Sequence, residues 1–378
     1  MKVIHVIIGL NLGGAELMLF RLSEALNGDD DQEHSVISLT DYGKLGPILT
    51  SKGVSVTALG MRNILDVPRV SYKLWQIFRL RKPDIVQTWM YHADLIGGIV
   101  ARFSGIKNII WGVRSTNIHR GVSKVTRGIR ILCVFFSYVI PKLIVCAAEA
   151  SRKAHVRIGY SQRRMTVIPN GFDTKLLTAT LEDRMQIRTA AGFSESDLVV
   201  GSLGRYNPAK DHDNFITAAA FLAKDYPNLK FLLVGRELDL ENEVVMKRIR
   251  ETGYSDRFVL LGERHDVARC LKAMDIFCLH SQTEGFPNVL GEAMTMGLPC
   301  VTTDVGDASF LIGDTGTVVE PHNALALAEA LRYLVVAGET FRLDLGKKAQ
   351  RRIHENFTMS CVKLRFKSLY DHLSLDDS

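Results

Sequence analysis

The stretch DIFCLHSQTEGFPNVLGEAMTMGLP, from Asp275 to Pro299, contains a short apolar run, a polar turn and an amphipathic segment, in that order. This order predicts a β-strand, a loop and a helix, with Pro287 in the opening of the helix and Gly297 at its end. Two glutamates flank the turn: Glu284 lies on the predicted loop and Glu292 about one turn inside the predicted helix. A strand followed directly by a helix is the repeating unit of α/β folds.

The same alternation extends in both directions along the chain. The runs that predict strands are VIHVII, SVISL, VSVTAL, DIVQT, NIIWG and LIVCA in the first half, and LVVGSLG, KFLLVG, FVLLG, DIFCLH, PCVTT and GTVV in the second. Amphipathic segments between them predict helices that cover both faces of parallel sheets. Because the pattern runs through twice, we predict an α/β protein with two Rossmann-like doubly wound domains, residues 1–170 and 171–357. Ligands are expected beyond the carboxyl ends of the strands.

Composition places the chain among globular proteins. It has 378 residues, of which 47% are hydrophobic and 23% charged, as is typical of this class. The six cysteines are scattered in or beside apolar runs, which indicates buried reduced thiols and a cytoplasmic location. The N-terminal run resembles no signal peptide, and no stretch reaches the ~20 apolar residues of a membrane-spanning helix.

Charge is divided unevenly between the two halves. Residues 1–170 contain 23 Lys and Arg against 11 Asp and Glu, a net +12, whereas residues 171–378 contain 24 against 30, a net −6. The basic half predicts an anionic partner. Nucleic acid is not expected, because no zinc-finger or RNA-binding signature is present. The basic residues Arg120, Lys124, Arg127 and Arg130 lead into the apolar run that ends at Ile140. This segment, Arg120–Ile140, predicts peripheral contact with an anionic membrane at its inner face; a solvated basic face is the alternative.

Glycines follow the first predicted strand. In IIGLNLGGAELML, Gly13 and Gly14 stand where the strand gives way to a helix, and backbone amides at such a junction can approach a phosphate. The spacing is not Gly-x-Gly-x-x-Gly, so a nicotinamide cofactor is not expected. A plain tight turn explains this stretch equally well.

Two cations, Arg205 and Lys210, follow a strand of the second half in GSLGRYNPAKDHDNF. An Arg fork and a Lys point charge suit the two negative charges of a pyrophosphate, although two surface charges would show the same pattern. The Asp-x-Asp of Asp211 and Asp213 resembles a metal–nucleotide site, but at a predicted helix start Asp211 is expected to cap and Asp213 to favour the helix dipole. No metal site is therefore expected.

The opening stretch completes the set of anion-binding features. The residues that follow Glu284 are expected to present backbone amides at a helix N-terminus, which is a ready anion site; they are Gly285, Phe286, Asn288 and Val289. A solvated Glu284 and a dipole-favouring Glu292 would explain each glutamate alone. They would not explain Gly-Phe-Pro-Asn between the two.

An ordered set of motifs resembles the retaining glycosyltransferases of family 4, which have the GT-B fold. The motifs are LGGAE, PDIVQTWMYHADLIGG, VIPNGFD, GRYNPAKDH, FLLVG, EGFPNVLGEAM and PCVTTDVG, and they extend along nearly the whole chain. The resemblance implies an N-terminal acceptor domain and a C-terminal nucleotide-sugar domain that face each other across a cleft. It also implies a last helix, near Met359–Leu373 and within residues 358–378, that crosses back to the first domain.

The resemblance assigns a role to each matching residue. Arg205 and Lys210 would bind the donor diphosphate and stabilise charge on the leaving nucleoside diphosphate. Glu284 would contact the hydroxyls of the transferred sugar, and Glu292 the ribose. The amides after Glu284 would hold donor phosphate and sugar. In the first domain, the loop of Gly13 and Gly14 would close on the diphosphate and His92 would lie near the sugar.

The implied reaction is transfer of a sugar from a nucleotide diphosphate sugar, with UDP as the expected nucleotide, to a glycan acceptor. Anomeric configuration would be retained without a metal, because two cations and helix amides can neutralise the leaving group. The basic first domain favours a lipid-pyrophosphate-linked acceptor, as in the assembly of bacterial surface polysaccharides such as lipopolysaccharide. The alternative is a nucleotide-sugar 2-epimerase of the same architecture. A retaining glycosidase would need its two carboxylates about 5–5.5 Å apart and would leave Arg205 and Lys210 without a purpose. A non-catalytic sugar-binding protein would not need the complete set.

Overall fold

Strands and helices alternate along the whole chain in the computed structural model, which describes residues 1–28, 31–116 and 123–375. The chain divides into two units. Unit 1 consists of Met1–Gly171 together with Met359–Ser378, and unit 2 consists of Phe172–Thr358.

Unit 1 is built on seven strands. They are β1 Lys2–Ile7, β2 Glu33–Ser38, β3 Ser55–Ala58, β4 Ile85–Trp89, β5 Asn108–Val113, β6 Leu143–Cys146 and β7 Met165–Val167. Its helices are α1 Gly14–Leu26, α2 Leu45–Ser51, α3 Val67–Arg81, α4 Tyr91–Phe103, α5 Lys124–Phe136 and α6 Glu149–Arg157 from the first part of the chain. All strand pairs are parallel, in the order β3-β2-β1-β4-β5-β6-β7.

Unit 2 repeats this plan with six parallel strands. They are β8 Leu198–Leu203, β9 Leu229–Val234, β10 Phe258–Leu260, β11 Ile276–Leu279, β12 Cys300–Thr303 and β13 Gly316–Val319. Its helices are α7 Leu181–Ala190, α8 His212–Ala223, α9 Glu243–Glu251, α10 Val267–Lys272, α11 Asn288–Thr295, α12 Ala308–Ile312, α13 Ala324–Val336 and α14 Gly338–Asn356. The sheet order β10-β9-β8-β11-β12-β13 reverses direction between β8 and β11, which is the doubly wound arrangement.

Both faces of the sheet in unit 1 are covered, as parallel sheets require. In β1, the side chains of Ile4 and Val6 belong to a core shared with α3, α4 and α5, whereas those of Val3 and Ile7 belong to a core shared with α1 and α2. This period-two division is why the strands of the sequence are apolar throughout rather than alternating.

The fold class predicted from the sequence is confirmed, and all twelve predicted strands are present. The structure adds β7, which the sequence did not predict. This strand has only three residues, Met165 to Val167, all half-buried. Its neighbours are too polar for an apolar run to stand out, so only its pairing with β6 defines it.

The C-terminal helix α15, Met359–Leu375, belongs to unit 1. Its buried residues Val362, Phe366 and Leu373 share the core that contains α1 and one face of the sheet. The hydroxyl of its Tyr370 donates to Gln87 Oε1 at 2.5 Å, within the sheet. Hydrophobic burial and one buried hydrogen bond therefore tie the end of the chain to the first sheet.

The cysteines are free thiols, and five of the six are buried. Burial raises the pKa of the Cys146 thiol to about 12, and of Cys133, Cys278 and Cys300 further still, so these thiols stay protonated and unreactive. Among the residues that the structure describes, no helix is long and apolar enough to cross a membrane.

Candidate functional site

The residues of unit 2 that are predicted to bind the sugar donor lie beyond the carboxyl ends of two adjacent strands. β8 and β11 pair side by side, with Ile276 opposite Val200. Arg205 and Lys210 follow β8, and Glu284 follows β11. This is the point where the strand order reverses, and ligands of doubly wound sheets bind there.

Lys210 lies at this edge of the sheet because it ends a short turn. Pro208–Lys210 forms one turn of 3-10 helix, and the side chain of Asn207 accepts a hydrogen bond from the Ala209 amide at 2.9 Å. Proline fits the first position of such a turn because its φ is already helical. Asp211 then adopts a left-handed backbone, with φ of 54°, and α8 begins.

Lys210 and Glu284 form an ion pair. Lys210 Nζ lies 2.6 Å from Glu284 Oε1, and the Ser281 hydroxyl donates to the same oxygen at 2.7 Å. The side chains are 23% and 13% exposed, so water screens the pair only partly. Each charge compensates the other in the free protein, and a phosphate that takes over Lys210 would release Glu284 for another partner.

Beside this pair, a cavity of about 280 Å³ brings other predicted residues together. Arg205, Val289 and Glu292 line it. Three charged residues that were not predicted from the sequence line it as well, namely Arg236, Glu263 and Arg264. A signal for them was present, since Arg236 follows β9 and Glu263 and Arg264 follow β10 within three or four residues. Charged residues that directly follow a buried parallel strand therefore indicate the carboxyl edge of the sheet.

In the segment from Glu284 to Glu292, some residues lie at the site and others pack in the core. α11 begins at Asn288, after Pro287 at the N-cap, and Glu292 is its fifth residue. The Phe286 ring is only 8% exposed and stacks on Phe172, with centroids 6.1 Å apart. Only the backbone of Phe286 is therefore left for the predicted ligand contact. The Gly285 carbonyl accepts a hydrogen bond from the Asp307 amide at 2.9 Å.

Each carboxylate of the Asp-x-Asp sequence lies beside a basic side chain. Asp211 Oδ2 lies 2.7 Å from His322 Nδ1, and Asp213 Oδ1 lies 3.3 Å from Arg248 Nε. The expected capping hydrogen bond from Asp211 is wrong, because its side chain makes no cap bond at α8. Within residues 1–28, 31–116 and 123–375, no group of three or more His, Cys, Asp or Glu side chains is placed to hold a metal ion.

In unit 1 the remaining predicted residues follow two adjacent strands. Gly13 is the N-cap of α1, and Gly14 is its first residue, after β1. His92 is the second residue of α4, after β4. β1 and β4 are neighbours in the sheet, so these residues share its carboxyl edge. Partial burial lowers the pKa of His92, which keeps its imidazole neutral at pH 7.

Beneath His92, Asp94 is a completely buried carboxyl. Its Oδ1 accepts hydrogen bonds from the Thr88 hydroxyl at 2.6 Å and the Gly112 amide at 3.3 Å. Burial disfavours the charged form more than these two bonds favour it, so the pKa rises to about 7. Asp94 therefore holds the start of α4 against β4 and β5 at the cost of a buried titratable group.

We expect Asp94→Asn to remove a pH dependence of stability. An aspartate in the unfolded chain loses its proton near pH 3.9, whereas folded Asp94 keeps it to about pH 7. The unfolding free energy should therefore fall as pH rises through this window. Asparagine keeps an acceptor oxygen without the charge. The variant's stability relative to the wild type should rise between pH 4.5 and 7.5, on the order of 2 kcal/mol or more.

Urea unfolding followed by tryptophan emission measures this difference, because Trp89 and Trp111 are buried in unit 1. Comparing variant with wild type at each pH cancels the opposite contribution of buried histidines, which both proteins share. The exposed Asp41 provides the matched control, Asp41→Asn. A relative stability of Asp94→Asn that stays constant with pH would contradict the expectation.

Two family descriptions together cover most of the chain. Residues 12–176 match the description "Glycosyltransferase Family 4", and residues 183–352 match "Glycosyl transferases group 1". The chain belongs to glycosyltransferase family 4. The enzyme class expected from the ordered motifs is thereby confirmed, and the epimerase alternative is set aside.

Curated relatives of this glycosyltransferase are similar over most of their length. The UDP-Gal:alpha-D-GlcNAc-diphosphoundecaprenol alpha-1,3-galactosyltransferase of Escherichia coli is 24% identical over 302 residues, which cover 79% of this chain and 77% of the relative. The capsular polysaccharide biosynthesis glycosyltransferase CapM of Staphylococcus aureus is 23% identical over 327 residues, 79% of each chain.

Solved structures share the fold of this chain. Anabaena Alr3699/HepE in complex with UDP aligns with 98% of this chain and 100% of its own, at a TM-score of 0.84 and 22% identity. WaaG, a glycosyltransferase involved in lipopolysaccharide biosynthesis, aligns with 98% of this chain and 99% of its own, at a TM-score of 0.66 and 16% identity. The fold of this family 4 glycosyltransferase is GT-B.

Proposed function

We propose that this glycosyltransferase moves a hexose from a UDP-hexose to a lipid-pyrophosphate-linked glycan during assembly of a bacterial surface polysaccharide, with retention of configuration and without a metal. One observation carries the proposal: Lys210, Glu284, Arg205 and Glu292 all lie where the strand order of the second sheet reverses. Both cations and both carboxylates that a donor of this class requires are present there.

The charges suit departure of a nucleoside diphosphate. Transfer breaks the bond between the anomeric carbon and the diphosphate, so negative charge grows on the leaving phosphate. Lys210 and Arg205 would neutralise that charge, with the amides at the start of α11 as further donors. Glu284, released from Lys210, would accept from sugar hydroxyls, and Glu292 would accept from the ribose. Gly13, Gly14 and His92 remain predicted contacts from unit 1.

The choice of UDP is supported by similar proteins. The Anabaena structure contains UDP, and a second structure of the same protein contains UDP-glucose. The Escherichia coli relative is named for UDP-galactose and for an acceptor on diphosphoundecaprenol. These names support a UDP-sugar donor and a lipid-linked acceptor for this chain.

An apolar outer surface on unit 1 supports the lipid-linked acceptor. α3, α4 and α5 cover one face of the sheet, and large apolar side chains are exposed on all three: Tyr72, Trp75, Phe103, Ile131, Leu132 and Phe135. Lys124 and Arg127 are exposed at the start of α5. Of the other predicted membrane-facing cations, Arg130 is buried, which corrects that expectation, and Arg120 lies outside the described residues. Apolar side chains flanked by cations suit an anionic bilayer surface.

A thermal-shift panel with chelator present tests the donor. UDP, GDP, UDP-glucose, UDP-galactose, GDP-mannose and NAD are compared. A ligand at ~100 times its dissociation constant adds about 2.7 kcal/mol, and each kcal/mol raises the midpoint by roughly 2–4 °C for a domain of the size of unit 2. We expect shifts with UDP and its sugars only. A shift with GDP compounds alone, or none until manganese is added, would refute the assigned donor.

Binding and turnover together separate the proposed roles of the two glutamates. Glu292→Ala should weaken UDP binding, because it removes the ribose acceptor. Glu284→Ala should leave UDP binding largely intact and lower the rate of transfer, because its partner is the sugar. Titration of UDP into both variants measures binding, and turnover of the UDP-hexose with a glycan acceptor measures transfer. An equal loss of UDP affinity in the two variants would contradict these roles.

Vesicle co-sedimentation tests the membrane surface. We expect binding to vesicles that contain phosphatidylglycerol, and weaker binding to pure phosphatidylcholine. Phe135→Asp on α5 should reduce it. Phe221→Asp, which changes another exposed phenylalanine on α8 of unit 2, is the control. Binding that is independent of anionic lipid and unaffected by Phe135→Asp would exclude this surface.

A further inference from the structure

His280 is a buried polar residue that none of the roles above uses. It follows the last residue of β11 and is 2% exposed. Its ring lies among Phe215, at a centroid distance of 4.9 Å, and His212, at 5.0 Å. Burial, with Lys210 and His212 nearby, holds the pKa of His280 well below its usual value. The ring is therefore neutral at pH 7.

Both ring nitrogens of His280 have partners. Nδ1 lies 2.6 Å from the carbonyl oxygen of Lys210, and Nε2 lies 2.7 Å from the Ser202 hydroxyl. A carbonyl only accepts, so Nδ1 must carry the proton of the neutral ring. Nε2 then accepts from the Ser202 hydroxyl. The contacts thus define a single tautomer that joins the end of β8, the turn before α8 and the end of β11.

The loop after β11 holds the Lys210 turn at two further points. The Gln282 amide donates to the Ala209 carbonyl at 2.9 Å, and the Gln282 side chain donates to the Pro208 carbonyl. Three successive carbonyls of the turn, from Pro208 to Lys210, are thus held by His280 and Gln282. The same loop then presents Glu284 to Lys210 Nζ. Among these contacts with the turn, the one from His280 holds the backbone carbonyl of Lys210 itself.

We propose that His280 is a positioning residue for sugar transfer: its Nδ1–H fixes the backbone of Lys210, so that the ammonium group points to the donor diphosphate rather than into solvent. The inference rests on the proposed role of Lys210. A core position between Phe215 and the sheet would be filled by an apolar side chain if packing alone decided it, because a buried imidazole must keep both nitrogens bonded. The bond to the Lys210 carbonyl gives the imidazole a function there.

Two substitutions separate the two ring nitrogens. In His280→Asn, the amide lies close to the position of Nδ1 and can still donate to the Lys210 carbonyl. In His280→Gln, the amide group reaches the position of Nε2, so the hydrogen bond from the Ser202 hydroxyl is kept and the one to the Lys210 carbonyl is lost. Both remove the ring and leave a similar void, so a purely structural role predicts similar loss of stability and similar activity per folded molecule.

The experiment measures kcat and KM for the UDP-hexose accepted by the wild type, together with the melting temperature of each variant. We expect His280→Asn to retain most of kcat and His280→Gln to lose about 100-fold, the order of effect of a displacement near 1 Å in an active site, at comparable melting temperatures. Equal kcat in the two variants, or a difference that follows the melting temperature, would overturn the proposal.

A half-buried position offers a second route if the variants at His280 do not fold. Gln282→Leu removes the bond to the Pro208 carbonyl and should lower kcat with little change in melting temperature. Unchanged kcat there would count against positioning of the turn by this loop. The proposed function itself fails separately, if the wild type neither binds nor turns over any UDP-hexose.

Discussion

Lys210→Ala is expected to lower kcat/KM for the UDP-hexose by about 10²–10³-fold, which is the usual effect of removing one preorganised group that stabilises developing charge. Lys210 is the cation that the structure already presents beside Glu284, at 2.6 Å. Without it, Arg205 is the one cation of the proposed pair that still opposes the charge growing on the leaving diphosphate, with the amides at the start of α11. Glu284 also loses the partner that compensates its charge and keeps the hydrogen bond from the Ser281 hydroxyl.

Steady-state kinetics with a glycan acceptor, together with UDP titration, measures this effect. Most of the loss should appear in kcat, since Lys210 acts on charge that is largest in the transition state. Lys224→Ala is the matched control: it removes one exposed lysine at the other end of α8, about 18 Å away at 1.5 Å per residue. A loss under tenfold in Lys210→Ala would show that Arg205 suffices, and the assigned role would then be wrong.

Gly291→Ala should destabilise unit 2 by about 3 kcal/mol, at the upper end of the usual range for overpacking. Gly291 lies in α11 between the two glutamates. A Cβ atom there would come within 1.9 Å of the Phe172 ring, and that ring is completely buried against Phe286. Neither the ring nor the helix can move without disturbing the core or Glu292. The midpoint should fall by roughly 6–12 °C.

Calorimetry measures the transition of unit 2, while tryptophan emission reports on unit 1, because Trp75, Trp89 and Trp111 all lie there. Gly128→Ala on α5 makes the same chemical change where a Cβ meets nothing within 4 Å, and it should stabilise the protein by about 0.5–1 kcal/mol through helix propensity. If Gly291→Ala melts at the wild-type temperature, the packing of Phe172 on α11 is looser than described.

Local patterns in the sequence predicted most elements, because each depends on residues close in the chain. Helix α8 extends from His212 to Ala223, and its apolar periodicity and the acidic residues at its start are both visible in the sequence. The run that predicts β11 is apolar and bounded by polar residues, so it too was visible. Arg205, Lys210 and Glu284 could be proposed because the ends of parallel strands share one edge of a sheet.

The sequence by itself thus determined the alternation of elements, the two sheets and the candidate donor residues. Tertiary structure alone decided which charges meet: Lys210 pairs with Glu284, 74 residues away, and Arg130 is buried although its neighbours Lys124 and Arg127 are exposed. It also decided that His280 bonds to the Lys210 carbonyl and that Gly291 faces Phe172. The physical reason is that local periodicity specifies which face a residue occupies, whereas its partner depends on how distant strands are ordered and paired, which no short stretch of sequence encodes.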